Sequence, residues 1–532
     1  MHVSNLRRKN VQSNLLLMLY VGSLVFLLMQ PSYASSPRVV SAALPEYISE
    51  YPVPTPTSAP LAITTDADGV VWFTESNASK LARFDPVVQS FAEYVVPGVG
   101  DMWGVTLDHN GYVWLTQYSG KGSVSPGGSI AFGGTGRLVR FDPTRNNFTS
   151  IEIPTIGSFP MRLVVDDQNR IWFTELLGNK IGVYDQSKKQ LTEYSVPTNA
   201  SGPADLTFDR NGALWFTETY AKNLAEFFPQ NRSFVEYPLG NASASQIVSS
   251  PIGVAIDNQG NVWVADHGGN WIVKFNSVTH GIVKYPTHFP PEDVYPISLV
   301  NDLLIDSSGK VWFTEHGGNS IGYLSTQDYT MTEFSIPTGP LSTCLWLAVA
   351  PNGDVWFTEW SSNKIGVVHS NLSVPVSIMV SYTYLRLSPG DETTLSLLVK
   401  TSQDTVGNGT LRYSWSSYNP NDASVSFSSQ YPSLAGPADT SAQAELFIST
   451  TTNPGNYTLG LGIDMGKVTV WSMVQVQVTA QPPTTPIGTS LTLVSAAVAI
   501  LVVVVLVLGL VLHRARRQRR PSTATYGNAS HC

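Results

Sequence analysis

Short runs of alternating apolar and polar residues, broken by Gly, Pro, Asn and Asp, fill most of this chain. That period-two pattern predicts strands rather than helices. One run recurs: Val71–Glu75, Val113–Gln117, Ile171–Glu175, Leu214–Glu218, Val262–Asp266, Val311–Glu315 and Val355–Glu359. Their tryptophans are 42, 58, 43, 48, 49 and 44 residues apart. A period of about 40–50 residues marks a β-propeller or a solenoid array. The fourth repeat divides into strands Ala204–Phe208, Leu214–Glu218, Asn223–Phe228 and Ser233–Tyr237, the make-up of a propeller blade. The last repeat lacks its outer Glu-Tyr-x-x-Pro strand, and Glu50–Pro54 supplies that pattern at the start. We expect the N-terminal strand to complete the seventh blade.

The pattern changes at about residue 371. Alternating Ser/Thr/Val runs, among them Thr394–Lys400, Arg412–Trp415 and Val468–Val478, predict about seven strands of an immunoglobulin-like sandwich. Two other runs are apolar throughout. Leu15–Leu28 follows Arg7, Arg8 and Lys9 and precedes Ser32-Tyr33-Ala34, as in a secretory signal peptide. Ile487–Leu512 is long enough to span a bilayer, and five arginines follow it, which places the tail in the cytoplasm. The expected order is signal peptide 1–34, propeller 45–370, sandwich 371–480, Pro/Thr stalk 481–486, transmembrane helix 487–512 and basic tail 513–532. The fold class is all-β: a seven-bladed propeller, an immunoglobulin-like sandwich and one membrane helix. The cellular place is the cell membrane, single-pass, with the domains outside.

Charge narrows the partners. Three of the 31 basic residues precede residue 35, five follow residue 512, and no acidic residue lies in either end. The exported stretch thus carries 23 basic against 39 acidic groups, the opposite of a nucleic-acid footprint. Eight Asn-x-Ser/Thr sequons in it are compatible with a glycoprotein. Cys344 and Cys532 belong to opposite ends of the chain, so stability rests on burial between repeats and not on disulfides.

Candidate chemistry lies where the first strand of each repeat begins and the tryptophan strand ends, on one rim of the propeller. That upper face is the default ligand site. The acids closing the tryptophan strands, including Asp266, Glu315 and Glu359, read either as a site for a hard divalent cation (Mg or Ca) or as turn-bonding groups. His267 and His316 follow such acids in consecutive repeats, each before Gly-Gly-Asn, and read either as a catalytic or metal-binding pair or as loop histidines. Trp103, Arg162, Asp205, Asn301, Asp302, Trp346 and Trp360 break the apolar pattern and are candidate ligand contacts.

Trp172-Phe173-Thr174-Glu175 with Asn179-Lys180-Ile181-Gly182, and Trp356–Glu359 with Asn363–Gly366, resemble the repeat of the streptogramin lyase (virginiamycin B lyase) family. The resemblance implies a seven-bladed propeller. It also implies a magnesium-dependent elimination that opens a cyclic peptide antibiotic at its ester. In that family a catalytic His stands where the innermost strand of the last repeat begins, with a second His in the repeat before. Here the corresponding positions hold Leu61, Trp103, Met161, Ala204, Ile252, Asn301 and Leu345, and Trp360 stands past the last tryptophan strand. The resulting expectation is a membrane-anchored protein that binds an extracellular peptide, glycan or small molecule on its upper face. The alternative is a metal-dependent lyase or lactonase-like hydrolase with a rearranged site.

Overall fold

The structure is a computed structural model that describes residues 44–480, apart from 120, 125–129, 240–247, 288–297, 340–341, 403–408, 418 and 435–437. The expected signal peptide, stalk, membrane helix and basic tail lie outside these residues. Among the described residues, no helix is long and apolar enough to cross a membrane. The only helical segments there are two three-residue turns.

Seven four-stranded antiparallel blades follow one another from residue 48 to residue 368. Blade 3 is typical, with Pro160–Val165 innermost, then Ile171–Glu175, Lys180–Asp185 and Gln190–Ser195. In blade 7 the outer strand is Ile48–Pro52, paired to Lys364–Val368 from Ile48↔Val368 to Pro52↔Lys364. The first strand of the chain therefore closes the ring, and blades 7 and 1 meet as any other two neighbours do. Thr358 Oγ1 donates to Leu61 O across that junction at 2.8 Å.

The repeated residues each do a structural job. In blade 3 the turn residue Asp166 accepts from the backbone N of Gln168 and Arg170 and from Trp172 Nε1 at 2.7 Å. Asp66, Asp108, Asp257 and Asp306 hold Trp72, Trp114, Trp263 and Trp312 in the same way. Each indole is thereby buried between blades without stranding its N–H. Phe173 lies over Gly182, where an added Cβ would sit 2.0 Å from the ring; only Gly admits so close an approach. Thr174 Oγ1 reaches Ala204 O in the next blade at 2.8 Å. Asn179 donates to Val196 O and Thr198 O and accepts from Ser201 N, which fixes the link to blade 4. Thr198, after the outer-strand proline, then binds Glu236 of that blade through both its N and its Oγ1.

Residues 376–479 form two more sheets, a β-sandwich. One has the order Val376–Val380, Glu392–Thr401, Ala438–Ile448, Ala423–Phe427. The other contains Thr410–Trp415, Gly455–Asp464 and Val468–Val478, with Tyr384–Leu387 parallel to the last. Leu395, Leu397, Leu446, Leu459 and Leu461 fill the space between them.

The second sheet does not stop at the sandwich. Val468–Val478 pairs antiparallel with Thr330–Ser335, the outer strand of blade 6, from Thr330↔Ser472 to Phe334↔Val468. Blade 6 and the sandwich thus share one eight-stranded sheet. Trp471, fully buried, donates Nε1 to Glu333 at 2.9 Å, and Ser414 Oγ donates to Thr287 O after blade 5. Propeller and sandwich fall in a single compact unit. The sequence expected a propeller over 45–370 and a sandwich over 371–480. The added strand pairing could not be read because it joins residues 138 apart.

Candidate functional site on the upper rim and channel

The upper rim is where innermost strands begin and tryptophan strands end, because antiparallel neighbours bring those ends together: Pro160 pairs with Glu175 and Pro203 with Glu218. A small register shift follows the first residue of the innermost strand in every blade but blade 2. The third residue of these strands falls within the shift.

In four blades that third residue is Arg162, Asp205, Asp302 or Trp346, and they meet. Arg162 Nε donates to Asp205 Oδ1 at 2.9 Å and Nη2 donates to Asp302 Oδ1 at 3.3 Å. The guanidinium carbon lies 4.1 Å from the centre of the Trp346 ring, a cation–π stack. Asp205 also accepts from Val254 N and Asp302 from Leu347 N, each through its second oxygen. Blades 3, 4, 5, 6 and 7 are therefore tied across the channel. Burial pushes the Asp302 carboxyl upward, against the pull of Arg162. The two carboxylates raise Arg162 further despite the burial that opposes its charge. The sequence grouped these four with Trp103 and Asn301 as rim contacts. They form a closed tier of their own, and both aspartates are already engaged.

Asn301 and Trp103 stand one residue closer to the rim. Asn301 Nδ2 donates to Leu345 O at 2.8 Å, so its amide fastens blade 6 to blade 7. Trp103 stays partly exposed and packs on Phe159, with ring centres 5.6 Å apart, and Tyr118 packs on the same ring at 5.0 Å. Phe159 holds φ = 49°, an uncommon left-handed conformation for an aromatic residue. Leu176, Leu177, Leu345 and Trp360 are also partly exposed, and they flank the same apolar cluster as Trp103. Blades 7, 1, 2 and 3 thus carry an apolar, aromatic arc.

Blades 5 and 6 carry the polar arc. The His267 and His316 rings touch edge to face, with centres 4.9 Å apart. His316 is buried, and desolvation drives both imidazoles down, His267 to about 4. Both are neutral at physiological pH. Residues 288–297 of the preceding long loop lie outside the described residues. The other long loop, after blade 2's second strand, holds a two-stranded hairpin, Lys121–Val124 with Ile130–Gly133.

The acids are placed separately, each at the end of its own blade's second strand. Asp266 accepts from Ser249 N and Oγ, Ser250 N and Trp271 Nε1. Glu315 and Glu359 are fully buried. Burial raises Glu75 to about 7 and Glu175, Glu218 and Glu359 to about 8, aided by the outer-strand glutamates beside them. Magnesium takes near-octahedral oxygen ligation. Among the described residues no three His, Cys, Asp or Glu side chains come together as such a set, so Asp266, Glu315 and Glu359 do not fit a shared cation.

Residues 134–377 match the virginiamycin B lyase family. That span runs from blade 2 to the first strand of the sandwich. Among solved structures, a streptogramin B lyase is 27% identical with a TM-score of 0.51, covering 60% of this chain and 96% of that one. Virginiamycin B lyase from Staphylococcus aureus is 21% identical with a TM-score of 0.50, covering 60% and 98%, which speaks to the fold alone. No curated protein matches the chain. The propeller resembles the virginiamycin B lyase family in both sequence and fold, and most of the sandwich lies beyond the match.

Proposed function

We propose that this is a cell-surface binding protein, anchored by the single apolar segment 487–512, whose propeller takes an uncharged, partly aromatic ligand on its upper rim. Peptides, glycans and small molecules of that kind are all candidates, and a cyclic peptide of the streptogramin type fits the resemblance. The observation that carries the reading is the make-up of the rim. Trp103, Leu345 and Trp360 present apolar surface there, while the two imidazoles opposite are neutral. Such a surface favours stacking and apolar contact. None of the seven strand-start positions offers a histidine for proton transfer, which is why binding is favoured over elimination.

The test is to titrate a type B streptogramin into the purified chain, following tryptophan fluorescence, and to look for linearised product by mass spectrometry with added Mg²⁺. Saturable binding that Trp103→Ala/Trp360→Ala abolishes, without product, supports the reading. Rapid linearisation overturns it in favour of a lyase with a rearranged site. The sandwich, with an immunoglobulin-like arrangement of strands, serves in this reading as the propeller's mount.

A further inference from the structure

Past the tier, on the side away from the rim, lies a cavity of ≈ 270 Å³. Thr64 and Thr65 of blade 1, Thr106 of blade 2, Leu163 of blade 3 and Ala348 and Val349 of blade 7 line it. All of them follow the tier position in their strands. Arg162 forms its head and is the only charged residue among the described lining residues.

Arg162 spends Nε on Asp205 and Nη2 on Asp302, while Nη1 makes no hydrogen bond among the described residues. A fifth of the side chain (20%) remains accessible, so those donors open on the cavity. A guanidinium donor that opens on a cavity gives its hydrogen bond to water or to a bound acceptor. The charge of Arg162 is already matched by two carboxylates, so a further anion would enter the channel without compensation. An uncharged carbonyl oxygen would satisfy Nη1 without that cost. The accessible walls are mainly polar, threonine hydroxyls among them, with no aromatic face among the described lining residues. At ≈ 270 Å³ the space lies just under the usual range for ligand pockets of about 300–1,000 Å³, so the occupant is small.

We infer that the cavity is a second binding site, separate from the rim, for a small uncharged molecule that presents a carbonyl oxygen to Arg162, such as a short amide or lactone. It does not depend on what the rim binds.

Ligand-observed saturation-transfer NMR on the full-length chain tests this, with N-methylacetamide as probe and acetate as its charged counterpart of similar size. The amide gives a saturable signal, and acetate binds at least ten-fold more weakly. Ala348→Leu fills the cavity and weakens the amide at least ten-fold. Thr106→Leu does the same should the first variant not fold. His267→Ala/His316→Ala, on the rim, leaves amide binding unchanged. Equal or tighter binding of acetate, undiminished amide binding in a folded cavity-filling variant, or no saturable amide signal up to 100 mM (about the weakest affinity the reading tolerates) each overturns the inference.

Discussion

Blades 3 and 5 have the same backbone and opposite chemistry at the same places. In blade 3, Lys180 on the third strand pairs with Glu193 on the fourth at 3.0 Å, both partly exposed. In blade 5 those two positions hold Trp271 and Lys284, and the ammonium sits 4.5 Å over the indole. Phe173 over Gly182 becomes Val264 beside Val273. The reason is what lies outside. The outer strand of blade 5, Ile282–Pro286, faces sandwich strand Gly455–Asp464, and Lys284 is only 4% exposed. A Lys–Glu pair is suited to a wet edge, whereas a covered edge favours a cation over an aromatic face. In blade 6 the outer glutamate is kept, as Glu333, and is answered by Trp471 of the sandwich. Much of the irregularity in blades 5 and 6 therefore marks the mount for the sandwich and not a ligand.

The strongest way to break this contrast is to remove the mount. Trp471→Ala takes a fully buried indole, with its bond to Glu333, from the joint and should cost about 3–5 kcal/mol. In urea it should also split one cooperative transition into two. A single unchanged transition would mean that the two parts are stable without the joint.

A second test exchanges core pairs between the blades. Gly182→Val should cost about 1–3 kcal/mol by overpacking Phe173. Adding Phe173→Val, which recreates blade 5's Val–Val pair, should recover a large part of that. Purely additive losses in the double variant would show that the blades do not share a common volume rule.

The third test uses pH. Glu175 has a folded pKa of about 8 against an ordinary 4.5, so between those values the folded state holds the proton more often than the unfolded state. Stability then falls as pH rises through the window. Below about 6.5 the depressed histidines act in the opposite direction, so the clean interval is pH 6.5–8. Urea midpoints should drop across it, and Glu175→Gln should flatten the slope by up to about 1.4 kcal/mol per pH unit. An identical slope in the variant would show that Glu175 is not protonated in the fold.

The smallest effect separates the two lysines. Lys180→Met should cost about 0.2–1 kcal/mol and less at high salt, as partly exposed pairs do. Lys284→Met should be insensitive to salt and close to neutral, since an apolar group of similar length suits a covered site. Equal salt dependence at both sites would erase the distinction.

Much of this could be read from the chain because the repeat is local. The turn aspartate and its tryptophan lie six residues apart, and the alternating strand pattern shows which faces are buried. The closing strand was legible too, because blade 7 lacked a piece whose pattern stood at residue 50. The nearness of His267 and His316 followed from equivalent positions in neighbouring blades. The tier was not legible. Arg162 meets Asp302 140 residues on, and only a completed ring brings their strands face to face. Nor was the shared sheet, because a strand's pattern records which side is buried and not which edge is paired.

Closure by the first strand has a consequence in time. Glu50 and Lys364, which it joins, are 314 residues apart. At about 5–20 residues per second of synthesis, roughly sixteen to sixty seconds separate the birth of one partner from that of the other. Throughout that interval Ile48–Pro52 has no strand to pair with, and the growing ring keeps an unpaired edge. A nascent chain in this state is a template for another strand of its own kind. The quantity most exposed to selection at residues 48–52 is therefore how little they associate while waiting. Glu50 and the two prolines at 52 and 54, each poor at templating a sheet, stand where that need is greatest.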